Sequence, residues 1–154
     1  MKKQGGSQAN STGKSLEKFI RDKLEEKGYI FVPREKFRVA CFNEQPIYTK
    51  QFPIAKGIYG TQIYCDFLIY HPEKHPNCLV IESKWQQTSG SVDEKFPYCV
   101  ANIQETYPHE TIILIDGNGY KKQAKEWLCK QIGKKLKAVL TMMDFQKWAN
   151  DDNL

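Results

Sequence analysis

Two apolar runs constrain this chain most: Cys65-Asp66-Phe67-Leu68-Ile69-Tyr70 and Leu79-Val80-Ile81-Glu82-Ser83-Lys84-Trp85. Each reads as a buried strand, yet the first carries Asp66 and the second carries Glu82 and Lys84. Charged side chains are almost never buried unless they are paired. The Pro-rich connection from His71 to Asn77 suits a hairpin, which would set the two strands side by side. Residues two apart in a strand share a face, so Glu82, Lys84 and Gln86 project to one side. Two carboxylates and one ammonium are thus expected to converge at a sheet edge. Two carboxylates, a backbone carbonyl and waters make a hard, all-oxygen site of the kind Mg²⁺ takes. Such an ion polarises a phosphate and acidifies water. A lysine beside it orients or deprotonates the attacking water, or stabilises developing charge.

The rest of the chain reads as the scaffold for that pair. Residues 1–13 are Gly, Ser, Asn, Gln and Lys without apolar periodicity, and are expected to form a flexible tail before one domain over 14–154. Leu16, Phe19, Ile20 and Leu24 predict a helix from about Lys14 to Lys27, with Gly28 as its stop. Glu17 falls at the edge of its buried stripe. Tyr29–Val32, Phe37–Phe42 and Gln51–Ile54 read as short strands. Phe96, Cys99, Val100 and Ile103 have helical spacing, with Pro97 placed near the first turn. Thr111–Ile115 is a strand, Lys121–Ile132 a helix with Ala124, Trp127, Leu128 and Ile132 inward, Lys137–Thr141 a strand, and Phe145 and Trp148 mark a last helix. Antiparallel strands followed by crossover units predict an α/β sheet covered by helices.

Hydrophobic residues make up 40% of the 154 and aromatic ones 12%, enough for a real core. No apolar run exceeds four or five residues, such as Thr111–Ile115, so no membrane span is expected. The net charge of +5 permits an anionic partner without requiring one. Arg34, Arg38, Lys50 and Lys56, before the charged strands, are candidates for a nucleic-acid-facing side. Five cysteines with no close CxxC pair, after a polar N-terminus, lead us to expect a reducing, cytoplasmic setting. Ser11–Ser15 lacks the glycine and preceding strand of a phosphate-binding loop. His71, His75 and Cys78 lack an obvious fourth zinc ligand, and Pro72 and Pro76 bar a common helix.

Asp66, followed by Glu82-Ser83-Lys84, resembles the D…(D/E)xK signature of the PD-(D/E)XK nuclease superfamily, the restriction-endonuclease-like fold. The resemblance spans about Lys14 to Trp148 in its order of helix, strands, helix and strand. Cys65 stands where the family's name has proline. The resemblance implies a mixed central β-sheet flanked by helices in a single domain, and a Mg²⁺-dependent phosphodiesterase acting on DNA. It implies Asp66 and Glu82 as metal ligands, with the Ser83 carbonyl completing the set. Lys84 would position or activate the nucleophilic water. Glu17 would be an auxiliary ligand or orienter, and Gln86 fits the extended ExKxQ form of some branches. Lys95, after Gly90-Ser91-Val92-Asp93-Glu94, is similar to a helical lysine that approaches the phosphate in certain restriction-type members. The expected function is therefore an endonuclease for double-stranded DNA, sequence-specific and of the restriction or intron-homing type. One site per chain leads us to expect a homodimer or higher symmetric assembly. The alternatives are an inactive nucleic-acid-binding or assembly module of the same fold, and a repair or junction-resolving nuclease.

Overall fold

Six strands form one sheet in the order β1-β2-β3-β4-β5-β6, in a computed structural model that describes residues 5–85, 91–117 and 119–154. The strands are β1 (Ile30–Phe31), β2 (Ile47–Lys56), β3 (Gln62–His71), β4 (His75–Trp85), β5 (Glu110–Asp116) and β6 (Leu136–Leu140). The helices are α1 (Gly5–Glu26), α2 (Phe37–Ala40), α3 (Ser91–Glu105), α4 (Lys122–Lys130) and α5 (Met142–Trp148). β2, β3 and β4 run antiparallel, as a hairpin chain must, whereas β4, β5 and β6 are parallel and joined by helical crossovers. The expected mixed α/β architecture is thus present.

Alternation along β4 sorts the core into two layers. Leu79 and Ile81 face Leu16, Ile20 and Leu24 of α1 and Phe145 of α5. Val80 faces the opposite way, toward Phe37 of α2, Phe96, Val100 and Ile103 of α3, and Leu128 of α4. By period two, Glu82 and Lys84 fall on the α3 side. Thr141 caps α5 by accepting from the Asp144 amide, and the Asp144 side chain answers the Thr141 amide.

Several expectations are corrected. Phe37–Phe42 is not a strand: 3-10 and α turns cover Arg34–Lys36, Phe37–Ala40 and Cys41–Asn43. Only Phe37 of this segment is buried, so no two-sided strand pattern is present to satisfy. The first helix begins at Gly5 rather than near Lys14: once the buried stripe has nucleated the ladder, extending it through weak helix formers needs no new nucleus. Residues 1–4 of the expected tail lie outside the described residues. Pro97 stands in the second turn of α3, since that helix starts at Ser91. Trp127 and Ile132 are about two-fifths exposed. Trp127 flanks Phe96 and Pro97 at the edge of a small open pocket, and Ile132 lies past the end of α4.

The β2–β3 hairpin changes face partway along. Tyr48 lies in the α1 layer, yet Phe52 and Ile54, of the same parity, lie in the α3 layer. The reset coincides with Gln51, whose φ is +50°, an uncommon region for a residue with a side chain. Beyond it the hairpin curls over α3. Buried Asn102 of α3 holds the tip, its Oδ1 accepting from the Ile58 amide at 2.8 Å. Gly57 is required there by space: a Cβ would meet Ile63 Cδ1 at 2.5 Å and Asn102 Oδ1 at 2.8 Å. Gly57→Ala is expected to destabilise the fold by about 1–3 kcal/mol, read from denaturant unfolding. An unchanged midpoint would mean the tip is free to shift.

Candidate active site

The β3–β4 ladder ends at the Phe67↔Ile81 pair. One step further, Asp66 stands opposite Glu82, and there the strands are bridged by a side chain. Asp66 Oδ2 accepts from the Ser83 amide at 2.8 Å and from Ser83 Oγ at 3.2 Å. A residue's N–H and C=O point to the same strand edge, so the Ser83 carbonyl is directed toward β3 as well. Gln51 Nε2 donates a long bond of 3.4 Å to Asp66 Oδ1, and the Gln51 carbonyl accepts from Arg34 Nη1 at 2.8 Å. The positive φ of Gln51 therefore sits beside the first carboxylate, where stored strain is a pointer to function.

Glu82 is 4% exposed. Its Oε1 accepts from the Tyr107 hydroxyl at 2.7 Å, and its carboxyl lies within hydrogen-bond reach of Asp66. Burial, then the neighbouring Asp66 charge, pushes Glu82 up to about 8. Two carboxyls in such contact need a proton or a cation between them. Lys84 is half-buried on the same face. Burial opposes its charge, but Cys99, Glu82 and Asp66 more than offset this and hold its pKa above the ordinary lysine value. Burial also pushes the Cys99 thiol up to about 12, so at neutral pH the carboxyl pair supplies the counter-charge.

Asp66, Glu82, Ser83 and Lys84 are therefore brought together as the hairpin reading expects. Glu17 is not brought into this group: it lies in the α1 layer, 3.2 Å from Lys50 Nζ. Among the described residues no three His, Cys, Asp or Glu side chains form a metal-binding cluster. Two carboxylates with a strand carbonyl could instead hold a divalent ion that keeps several of its waters. Gln86 lies outside the described residues.

The basic candidates are dispersed. Arg34 lies over the Tyr64 ring and bonds Gln51, close to Asp66. Lys50 lies over Phe67 in the α1 layer. Arg38 packs on Phe52, contacts His109 and lines a groove with Cys41 and Cys78, near the start of β4 rather than the end that carries Glu82 and Lys84. Lys56 and Lys95 are exposed near the hairpin tip and on α3. No zinc trio forms from His71, His75 and Cys78: His71 Nδ1 accepts from the Glu73 and Lys74 amides, and His75 bonds the Asn153 carbonyl.

Gln51 and Tyr107 also touch the site, and the sequence reading missed both. Tyr107 had no local signal, since its partner is 25 residues away. The Tyr107 backbone is itself held by Lys135 Nζ on its carbonyl at 2.8 Å. Removing the hydroxyl with Tyr107→Phe leaves a buried carboxyl oxygen short of a donor. Divalent-metal affinity at neutral pH, measured by titration calorimetry, is expected to fall roughly 10–100-fold. Unaltered affinity would make Tyr107 a packing residue only.

No curated protein and no solved structure matches the chain. A profile of the PD-(D/E)XK nuclease superfamily domain matches residues 8–153, from within α1 to the turn after α5. The chain belongs to the PD-(D/E)XK nuclease superfamily.

Proposed function

We propose that this chain is a Mg²⁺-dependent DNA endonuclease whose site is Asp66, Glu82, the Ser83 carbonyl and Lys84. The observation that carries the reading is the buried Glu82 facing Asp66 across the end of the β3–β4 ladder, with Lys84 on the same face. A structural ion pair would not gather two carboxyls at one point with a single ammonium. A divalent cation held there would neutralise phosphate charge and acidify water. The chain's own contribution is positional. Asp66 is fixed by the Ser83 amide and Glu82 by Tyr107, so neither needs to reorganise on binding. Lys84, kept charged, places a cation where negative charge develops on the phosphate and orients the attacking water.

The retained acid pair and lysine argue for catalysis over an inactive binding module. A symmetric homodimer acting on double-stranded DNA is the assembly we infer, since one site per chain cuts one strand. Sedimentation velocity would test it, with a monomer at working concentration as the contrary result. Incubation of purified protein with supercoiled plasmid is the direct test of function. Nicked and linear products in Mg²⁺, absent in EDTA, are expected. Discrete fragments from genomic DNA would support the sequence-specific restriction or homing type, and a smear would not. Binding without cleavage in any divalent metal would overturn the catalytic reading in favour of the module.

A further inference from the structure

Two tyrosines stand exposed at the same end of the sheet as the Asp66–Glu82 pair. Tyr59, at the β2–β3 tip, is 77% exposed and Tyr98, on α3, is 37% exposed. Their rings are stacked, with centroids 5.3 Å apart and planes 19° from parallel. The tip that presents Tyr59 is held in place by Asn102 and by the tight fit at Gly57. One broad face of an aromatic ring is therefore displayed to solvent on a fixed support, with the second ring behind it.

The location ties this pair to the site. β3 leaves the tip at Gln62 and reaches Asp66 four residues later, about 13 Å at ~3.3 Å per residue. Tyr98 precedes Cys99, whose thiol shares the surroundings of Lys84. Exposed Lys56 lies three residues before Tyr59, and exposed Lys95 lies one helical turn before Tyr98. Aromatic faces flanked by lysines are what an unpaired nucleotide chain needs: a surface for the base and cations for its phosphates. Bases within a duplex already stack on one another, so only an unpaired or extruded base offers its face.

We propose that the Tyr59–Tyr98 stack is a platform that receives an unpaired base of the nucleic-acid substrate a few nucleotides from the cut. The proposal rests on the nuclease reading above and narrows it. It favours a double-stranded substrate that carries unpaired nucleotides near the cut, as in the repair or junction-resolving setting, over a fully paired duplex.

The test uses the full chain in EDTA, where metal-dependent cleavage is stopped and binding alone is read. Fluorescence anisotropy would compare an oligo-dT of about 20 nucleotides, longer than one such site, with a duplex of the same length. Tyr59→Ala is expected to weaken single-strand binding about tenfold while leaving duplex binding nearly unchanged. Tyr59→Phe should restore it, because the ring and not the hydroxyl does the stacking. A 2-aminopurine base in the oligonucleotide should be quenched by the wild type and by Tyr59→Phe, and not by Tyr59→Ala. Equal losses on single strand and duplex, or no loss with Tyr59→Ala, would overturn the platform. Plasmid nicking in Mg²⁺ is read separately, so a nuclease without a stacking platform and a stacking platform without nuclease activity give different results.

Discussion

Lys84→Met is expected to lower the cleavage rate by about 10²–10³-fold, the loss that follows removal of one preorganised charge-stabilising group. Methionine keeps the unbranched stem that fills the half-buried space beside Cys99, so packing changes little. What disappears is the ammonium that Asp66 and Glu82 hold above its ordinary pKa against the opposing pull of burial. Among the described residues, nothing else in the contacts of Glu82 replaces that charge, because Tyr107 brings a neutral hydroxyl. The loss should therefore appear in kcat with KM nearly unchanged, the pattern of an interaction made mainly in the transition state. Stability in Mg²⁺ should change little, since the divalent ion then balances the carboxyl pair, whereas in EDTA the loss of one partner leaves the buried carboxyl charge uncompensated and should lower it. A kcat within about threefold of wild type, well short of that range, would sink Lys84 as a catalytic residue. A melting temperature that collapses in Mg²⁺ as well as in EDTA would instead make it the structural counter-ion of the carboxyl pair.

The sequence revealed the acid pair and the sheet because local rules agree there. Asp66 and Glu82 interrupt runs that are otherwise apolar, the connection between them allows a hairpin, and period two puts Lys84 with Glu82; the structure keeps all three relations. Glu17 shows where such rules stop. Its place at the edge of the buried stripe is correct, but the helix wheel does not say whether a metal site or Lys50 faces it, and it is Lys50. Gln51 was hidden for a different reason: its positive φ is imposed by the curl of the hairpin over α3, a tertiary demand with no glycine to announce it. Phe37–Phe42 is rich in β-favouring residues but has no alternating burial pattern, so propensity alone points to a strand where α2 needs only Phe37 inward. Tyr59 and Tyr98 are 39 residues apart, so their stack too depends on the same curl.

In EDTA the protein is expected to lose stability as pH rises from about 4.5 to about 8, and Glu82→Gln should flatten that slope. Glu82 has an ordinary value of 4.5, representative of the unfolded chain, and is pushed up to about 8 in the fold by burial and by Asp66. Between those values the native state binds more protons than the unfolded one, so stability must fall with rising pH. The contribution is fully present below pH 4.5 and is gone above about 8, with a size on the order of a few kcal/mol. Lys84 does not confuse the window, because its raised pKa lies above 10.5. Glutamine keeps the acceptor for the Tyr107 hydroxyl while removing the titration. A divalent cation should act against the same slope, since it binds the ionised carboxylate and competes with the proton. Melting temperatures in Mg²⁺ and in EDTA should accordingly converge toward pH 5 and separate toward pH 8, with Mg²⁺ the higher. Glu82→Gln should lose most of that separation. Parallel wild-type and Glu82→Gln profiles in EDTA would show that Glu82 is already ionised in the fold, with its charge held by Lys84. Metal stabilisation that survives intact in Glu82→Gln would move the cation away from this pair.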